Sequence, residues 1–316
     1  MSPSLDWRQT QTIPALGLGC WAIGGPYWAD AIPLGLADTD DSTAKSALKA
    51  ALDHGIQYFD VADVYGAGHA EELLGSVLKR RDDVLIATKF GHKFDATTKQ
   101  VQGKATSADD IREAVHGSLR RLKREQIDLY ELHLEELDAD EAGEVADELD
   151  RLVQQGKIAA YGWVTDHVSD VENWAGRDDF AAVQHEFNLL HPANELREKC
   201  AAHNLVSVCR APFAMGLLSH QINYANSFGD ADSVPEHLAH YLKGDDPQTR
   251  LEKIHDLLRT DGRTIAQGAL GWIWATDSNA LPIPGFRTAD HVKENAKALE
   301  LGPLPDDVVD ELNALT

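Results

Sequence analysis

Eight short apolar segments recur along the chain, and each is followed by a stretch long enough to form a helix. They are ALGLG (15–19), IQYFD (56–60), VLIATK (84–89), DLYELH (128–133), IAAYGW (158–163), AAVQHE (181–186), LVSVC (205–209) and ALPIP (280–284). Such short apolar runs are typical of strands that are buried on both faces of a parallel sheet. Eight strands alternating with helices predict an α/β fold, the (β/α)8 TIM barrel, with a doubly wound open sheet as the alternative.

The segments between these runs have apolar residues at helical spacing. STAKSALKAALDHG is one example, with Ser42 predicted as the N-cap and Gly55 at the end. A length of 316 residues suits one barrel of about 250 residues with insertions, although two domains of about 150 residues fit the length alone. Because no linker-like tract interrupts the alternation, we predict one barrel domain over residues 1–316, with a long loop at about 218–248 covering the barrel mouth.

Charge and cysteine content restrict the class of protein. The formal net charge is −23, which argues against nucleic acid as a partner because that binding depends on clustered Lys and Arg. Cys20, Cys200 and Cys209 lack CxxC spacing, so neither a disulfide framework nor a zinc site is indicated. With no signal-like start and no long apolar stretch, we expect a cytoplasmic protein that does not bind membranes, and its oligomeric state stays open.

Three of the predicted strands end in polar residues. Asp60 closes IQYFD, Lys89 closes VLIATK and His133 closes DLYELH, while Tyr65 follows in the loop after Asp60. Taken singly, Asp60 could cap a turn, Lys89 could reach out to water, and His133 could be a core histidine. Together they predict an active site, because the carboxyl ends of barrel strands meet at one mouth.

A Lys, Asp, His and Tyr cluster suits protonation of a carbonyl oxygen while a hydride arrives at its carbon. The phenol of Tyr65 is a weak acid, and we expect the Lys89 ammonium to bring the phenol pKa toward the working range. Asp60 would hold Lys89 charged and oriented, and His133 would hydrogen-bond the reacting oxygen. Tyr65 is therefore the predicted general acid and base.

Nearly the whole chain resembles the aldo-keto reductase superfamily. DVADVYG is similar to the D-x-A-x-x-Y-G segment of that family, and VLIATK and DLYELH are similar to its strands that end in the catalytic Lys and His. LGLGCWAIGG, GKIAAYGW, VQHEFNLLHP, PFAMGLL and IPGFRTADHVKEN resemble further family segments. The resemblance implies an NAD(P)H-dependent oxidoreductase that reduces aldehydes or ketones, or runs in reverse, with Asp60, Tyr65, Lys89 and His133 as the catalytic tetrad.

The resemblance also implies a set of residues that bind the cofactor. They are Trp21, Asp60, Thr165, Gln184, Arg210, Gly216, Leu218, Gly285, Arg287, His291, Glu294 and Asn295. Gln184 matches the glutamine that holds the nicotinamide carboxamide, and Arg287 suits a 2′-phosphate, which favours NADPH over NADH. For the substrate, the resemblance and the aromatic residues after the first strand suggest Trp21, Tyr27, Trp28, Tyr65 and His133; Tyr27 and Trp28 could equally pack a loop onto the barrel.

Several positions depart from the family pattern. Val164 and Thr165 replace the usual Ser-Asn, Arg210 stands where an aromatic ring often stacks on nicotinamide, Gln221 replaces a phosphate-binding Lys, and Cys20 replaces a Thr. A cofactor-binding regulatory barrel with little turnover is therefore an alternative function. A metal-dependent hydrolase ranks last because no HExxH-like spacing is present.

Overall fold

The eight predicted strands form one parallel sheet. The computed structural model describes residues 2–8, 10–79, 81–219, 235–242 and 246–316. The strands are β3 (Gly17–Gly19), β6 (Tyr58–Asp60), β7 (Leu85–Phe90), β10 (Leu129–Leu132), β11 (Tyr161–Val164), β12 (Phe180–Glu186), β13 (Val206–Arg210) and β14 (Ala280–Pro282). Each lies at one of the apolar runs, within a few residues of the predicted bounds, which confirms the interpretation of those runs as strands.

The sheet closes into a barrel. Its order is β14-β13-β12-β11-β10-β7-β6-β3, so neighbours in the chain are neighbours in space. The two edges meet where Gly19 pairs in parallel with Gly285, and the Gly19 amide donates to the Pro284 carbonyl at 3.1 Å. This closure confirms the (β/α)8 barrel and makes the doubly wound open sheet wrong.

Helices on the outside follow the strands. They are α1 (Asp41–Asp53), α2 (His69–Val77), α3 (Ala108–Leu122), α4 (Ala139–Gln154), α5 (Val168–Trp174), α6 (Asn194–Ala202), α7 (Glu236–Ala239), α8 (Pro247–Leu258), α9 (Ile265–Thr276), α10 (Ala289–Leu301) and α11 (Asp306–Asn313). Asp40, and not the predicted Ser42, is the N-cap of α1, because its carboxylate accepts from the Thr43 amide at 2.7 Å. Among the described residues, no helix is long and apolar enough to cross a membrane.

Two further sets of strands were not predicted. The hairpin of β1 (Ser4–Trp7) and β2 (Gln11–Pro14) places Trp7 against Tyr58 at the start of β6, with ring centroids 5.7 Å apart. A small sheet with the order β5-β4-β9-β8 joins β4 (Trp28–Ala29), β5 (Ile32–Pro33), β8 (His92–Asp95) and β9 (Gln100–Lys104). Because β8 starts just after β7 ends, this small sheet lies beside the barrel mouth.

The predicted cover of the mouth, residues 218–248, lies mostly outside the described residues. The part after the gap packs on the barrel, since the Tyr241 side chain is buried and its hydroxyl bonds the Glu186 carboxylate at the end of β12. Arg250 of α8 donates to the Tyr241 carbonyl at 3.0 Å. This segment therefore meets the carboxyl ends of the strands, where the predicted site residues are.

Candidate active site

The predicted catalytic side chains come from three neighbouring strands. Asp60 is the last residue of β6, Lys89 is near the end of β7, and His133 directly follows β10. The order β10-β7-β6 places these ends side by side, and the His133 amide donates to the Phe90 carbonyl at 2.7 Å, which fixes where the chain leaves β10. The strand order thus brings Asp60, Lys89 and His133 to one mouth of the barrel.

Lys89 and Asp60 form a buried ion pair. The Lys89 ammonium lies 2.6 Å from Asp60 Oδ2 and also donates to the Val61 carbonyl at 2.8 Å. Burial alone lowers the pKa of Lys89, but the charge of Asp60 acts in the opposite direction, and the pKa lies above its ordinary value. Lys89 therefore stays charged at neutral pH, as predicted for it.

Tyr65 lies directly above this pair. The Lys89 ammonium is 5.6 Å from the centre of the Tyr65 ring. A glycine next to Tyr65 makes the turn possible, since Gly66 has φ +63° and a Cβ there would lie 1.9 Å from the Gly24 carbonyl oxygen. The loop thereby returns the tyrosine to the strand ends.

The pKa of Tyr65 differs from the expectation. Burial raises it above the ordinary value of tyrosine, while the charge of Lys89 acts in the opposite direction and does not outweigh burial. The cation alone would lower the pKa of Tyr65, but burial removes water from around the phenol, and that loss has the larger effect. In the protein without ligands, Tyr65 is consequently a protonated phenol, the form required of a proton donor.

His133 completes the group. Its ring lies edge-on to the ring of Tyr65, with centroids 5.9 Å apart at 85°, and it meets the ring of His92 at 5.7 Å. Burial, followed by the charge of Lys89, holds the pKa of His133 well below its usual range. The imidazole is therefore neutral at pH 7 and can donate one hydrogen bond.

Glu131 was missed by the sequence argument. It lies fully buried in β10, with its carboxylate 3.6 Å from the Lys89 ammonium. A signal was available, because Glu131 is a charged residue inside an apolar run, and strand alternation turns its side chain toward the barrel interior as it does for Lys89. His92 was also missed, since the polar strand β8 has no apolar pattern.

Gln184, a predicted cofactor residue, contacts the tetrad directly. Its amide nitrogen donates to Asp60 at 2.8 Å and to Glu131 Oε2 at 3.2 Å. With both amide hydrogens directed at carboxylates, its carbonyl oxygen is the atom suited to accept a bond from a carboxamide. The family resemblance implies that this atom binds the carboxamide of the cofactor.

Two other predicted cofactor side chains are held by protein partners. The Thr165 hydroxyl donates to Asp170 at 2.6 Å and accepts from the His167 amide at 3.0 Å at the start of α5. The Arg210 guanidinium bonds Asp166 and lies 3.8 Å from Glu186. Contact with a cofactor would have to compete with these bonds.

A cleft of about 290 Å³ lies between the start of α1 and the start of α10. Arg287 and His291 line it, as does Thr288, which caps α10 by accepting from the His291 amide at 3.3 Å. Arg287 is already paired across the cleft, with its guanidinium 3.0 Å from Asp38 Oδ2. A guanidinium beside a helix N-terminus suits a phosphate group.

The remaining predicted cofactor residues lie after β13, after β14 and in α10. Gly216 ends a 3-10 turn (Ala214–Gly216) after β13, with Leu218 buried just beyond it, and Gly285 makes the bridge that closes the sheet. In α10, Asn295 is buried and the Glu294 carbonyl accepts from Gln267 at 3.0 Å. Gln221 lies outside the described residues.

The aromatic residues after the first strand have different environments. Tyr27 is buried and packs with Ala62 and Val64, so it holds the loop of Tyr65. Trp21 is 38% exposed and donates from its indole nitrogen to the Leu34 carbonyl at 3.0 Å. Trp28 is half-buried in β4. Of the three, Trp21 has the most side-chain surface available to a substrate.

Comparisons with known proteins identify the family of this chain. Residues 15–316 match the model described as "Aldo/keto reductase family". The chain is 28% identical to "Aldo-keto reductase yakc" of Schizosaccharomyces pombe, whose name specifies NADP(+), over 95% of this chain and 88% of that protein. The fold and site thus define a barrel oxidoreductase, and the chain belongs to the aldo/keto reductase family.

Solved structures of similar fold agree with this family assignment. Aldo-keto reductase AKR11C1 from Bacillus halodurans in its holo form is 26% identical, with a TM-score of 0.80 over 100% of this chain and 97% of that one. The glycerol dehydrogenase AKR11B4 from Gluconobacter oxydans is 26% identical, with a TM-score of 0.81 over 97% and 92%. This protein is similar to both over nearly its full length.

Proposed function

We propose that this protein reduces an aldehyde or ketone to an alcohol with NADPH, or catalyses the reverse oxidation, with Tyr65 as the acid and base. The observation that carries the proposal is the meeting of a protonated Tyr65 and a neutral His133 above the Lys89–Asp60 pair. When bound, the cofactor supplies the hydride that adds to the carbonyl carbon. The residues of the chain bind the carbonyl oxygen and supply its proton.

The geometry supports the following roles. His133, as a neutral imidazole, would donate a hydrogen bond to the substrate carbonyl oxygen and orient it toward Tyr65. Tyr65 would transfer its phenolic proton to that oxygen as negative charge develops there. Lys89, held by Asp60, would stabilise the phenolate that remains. In the oxidation direction the proton returns from the alcohol to Tyr65.

NADPH is the cofactor that the chemistry of the residues fits. Gln184 would hold the carboxamide through its carbonyl oxygen, and the cleft beside α10 would hold the 2′-phosphate through Arg287. The named Schizosaccharomyces pombe relative, which uses NADP(+) according to its name, supports the same assignment. The ion pair between Asp38 and Arg287 would weaken when the phosphate binds to Arg287.

We also place the protein in a reducing compartment such as the cytoplasm. Its three cysteines are buried and free. Burial raises the pKa of Cys20 and Cys209 well above the usual value, so neither is a reactive thiolate at neutral pH. The substrate is a small molecule with a carbonyl or alcohol group.

A single-turnover experiment tests the proposed function. The protein is mixed with an equal amount of NADPH, a reactive aromatic aldehyde is added, and the nicotinamide absorbance is followed. We expect a fast loss of absorbance that is absent in Tyr65→Phe. Tight NADPH binding with no loss of absorbance across aldehydes, ketones and sugars would instead support the regulatory alternative.

A further inference from the structure

Glu131 is a buried carboxyl group with no role in the proton transfer described above. It is the Cα partner of Lys89 on β7 and of Gly162 on β11. Its Oε2 atom lies 3.6 Å from the Lys89 ammonium and 3.2 Å from the Gln184 amide nitrogen. Glu131 therefore contacts the same two groups that Asp60 holds.

The barrel interior has space for this carboxyl group because its neighbour has no side chain. A Cβ at Gly162 would lie 3.2 Å from Glu131 Cγ and 2.8 Å from the Ala182 carbonyl oxygen. The first distance is tight and the second is not tolerated in folded proteins. Glycine at this position therefore leaves the Glu131 side chain free to extend toward Lys89.

The cluster contains more acidic groups than cations. Asp60 and Glu131 face one ammonium, Lys89. The other titratable groups around this cluster are the phenols of Tyr58 and Tyr65, the thiol of Cys20, the imidazole of His133 and the carboxyl group of Asp63. A second buried carboxylate with a shared cation is costly unless it keeps a proton. In line with this, burial and the charge of Asp60 together raise the pKa of Glu131 to about 8 against the opposing charge of Lys89.

We propose that Glu131 is a positioning residue whose carboxyl group shares Lys89 and Gln184 with Asp60, and that its charge tunes, through Lys89, how readily Tyr65 exchanges its proton. This inference rests on the proposed function. When Glu131 loses its proton, the added negative charge cancels part of the field of Lys89 and holds the Tyr65 proton more tightly. Its hydrogen bond to Gln184 also fixes which amide atom faces the carboxamide.

The pH dependence of the reaction tests this role. Alcohol oxidation needs the Tyr65 phenolate, so the kcat/KM for oxidation increases with pH. In Glu131→Gln this increase should occur at a pH about one unit lower than in the wild type. The two proteins should converge below about pH 8, where Glu131 is protonated in the wild type. An equal loss of activity at all pH values, with the profile unmoved, would show a merely structural role and overturn the proposal.

The matched control is Glu148→Gln. Glu148 is also fully buried, but it lies on α4 and pairs with Arg112 at 2.7 Å and Arg151 at 2.8 Å. Loss of this carboxylate should change stability and leave the pH profile in place. If Glu131→Gln does not fold, Glu131→Asp, which withdraws the carboxyl group by one methylene, should give a smaller shift in the same direction.

A titration that does not depend on turnover separates this inference from the proposed function. In protein labelled with carboxyl-¹³C glutamate, the signal that is absent from the Glu131 variants belongs to Glu131. This signal should titrate near pH 8 in the wild type, and its pKa should be higher in Lys89→Met. Titration at the ordinary glutamate value of about 4.3 would overturn the proposal. If the coupling is present and no carbonyl is turned over, the proposed function fails, while the link between Glu131 and Lys89 stands.

Discussion

Two ion pairs of this protein differ mainly in their exposure to water. Lys89 and Asp60 are 2.6 Å apart with side chains 0% and 4% exposed, whereas Arg287 and Asp38 are 3.0 Å apart with side chains 42% and 80% exposed. In the barrel, burial keeps water from screening the charges, so their fields act strongly on Tyr65. At the rim, water and salt screen the pair, so a ligand phosphate can displace one partner. Burial thus suits the first pair to tuning the proton of Tyr65, and exposure suits the second pair to exchanging one partner for a ligand.

The largest effect should come from Lys89→Met. It leaves Asp60 buried without its cation, and loss of one partner of a buried pair costs about 3–5 kcal/mol of unfolding free energy. Turnover should also fall by about 10²–10⁴-fold because the Tyr65 phenolate loses its stabilising charge. Urea unfolding and single-turnover absorbance measure the two losses.

The control for that variant is Lys45→Met. Lys45 lies 3.8 Å from Asp41 on the exposed side of α1. We expect near wild-type stability and turnover from this control, because exposed pairs contribute little. If Lys89→Met behaved like the control, the contrast between buried and exposed pairs would not hold for this protein.

Tyr65→Phe should affect the reaction and spare the fold. Removing the hydroxyl takes away the proton donor, so kcat should fall by about 10²–10⁴-fold. The ion pair beneath is retained, so NADPH affinity by fluorescence titration should change by less than about threefold. An unchanged kcat would show that the proton comes from another group.

Arg287→Met addresses the exposed pair. Loss of charge-assisted bonds to the 2′-phosphate should weaken NADPH binding by roughly 10- to 100-fold and NADH binding far less. Stability should stay near the wild-type value, since the pair is exposed. Calorimetric titration with each cofactor gives the ratio of the two affinities. The control is Arg259→Met, which removes an exposed ion pair with Asp256. Equal weakening for both cofactors would count against a 2′-phosphate site here.

The smallest effect should come from Asp38→Asn. It releases Arg287 from its carboxylate and removes a negative charge from the cleft, so NADPH should bind tighter by about two- to fivefold. The gain should shrink as salt is added, because both charges are exposed. Weaker binding in this variant would mean that Asp38 orients Arg287 for the phosphate and does not compete with it.

The fold could be predicted because its signal is local. Each barrel strand is an apolar run, and the order of the runs fixes the order of strands in a parallel sheet. Asp60, Lys89 and His133 could be found because each ends such a run. The small sheet of β4, β5, β8 and β9 could not, since its strands are short and partly polar. Asp40 as the cap of α1 was missed because two neighbouring residues, Asp41 and Ser42, are equally good caps.

The sequence by itself determined the barrel and the identity of the four residues at its mouth, because strand periodicity and chain order need no distant contact. Only the tertiary structure decided how those residues are charged. Gln184 reaches Asp60 across 124 positions and Arg287 reaches the Asp38 carbonyl across 249, contacts that exist only once the sheet closes. The same closure buries Tyr65 and Glu131, and the water it removes sets their pKa values.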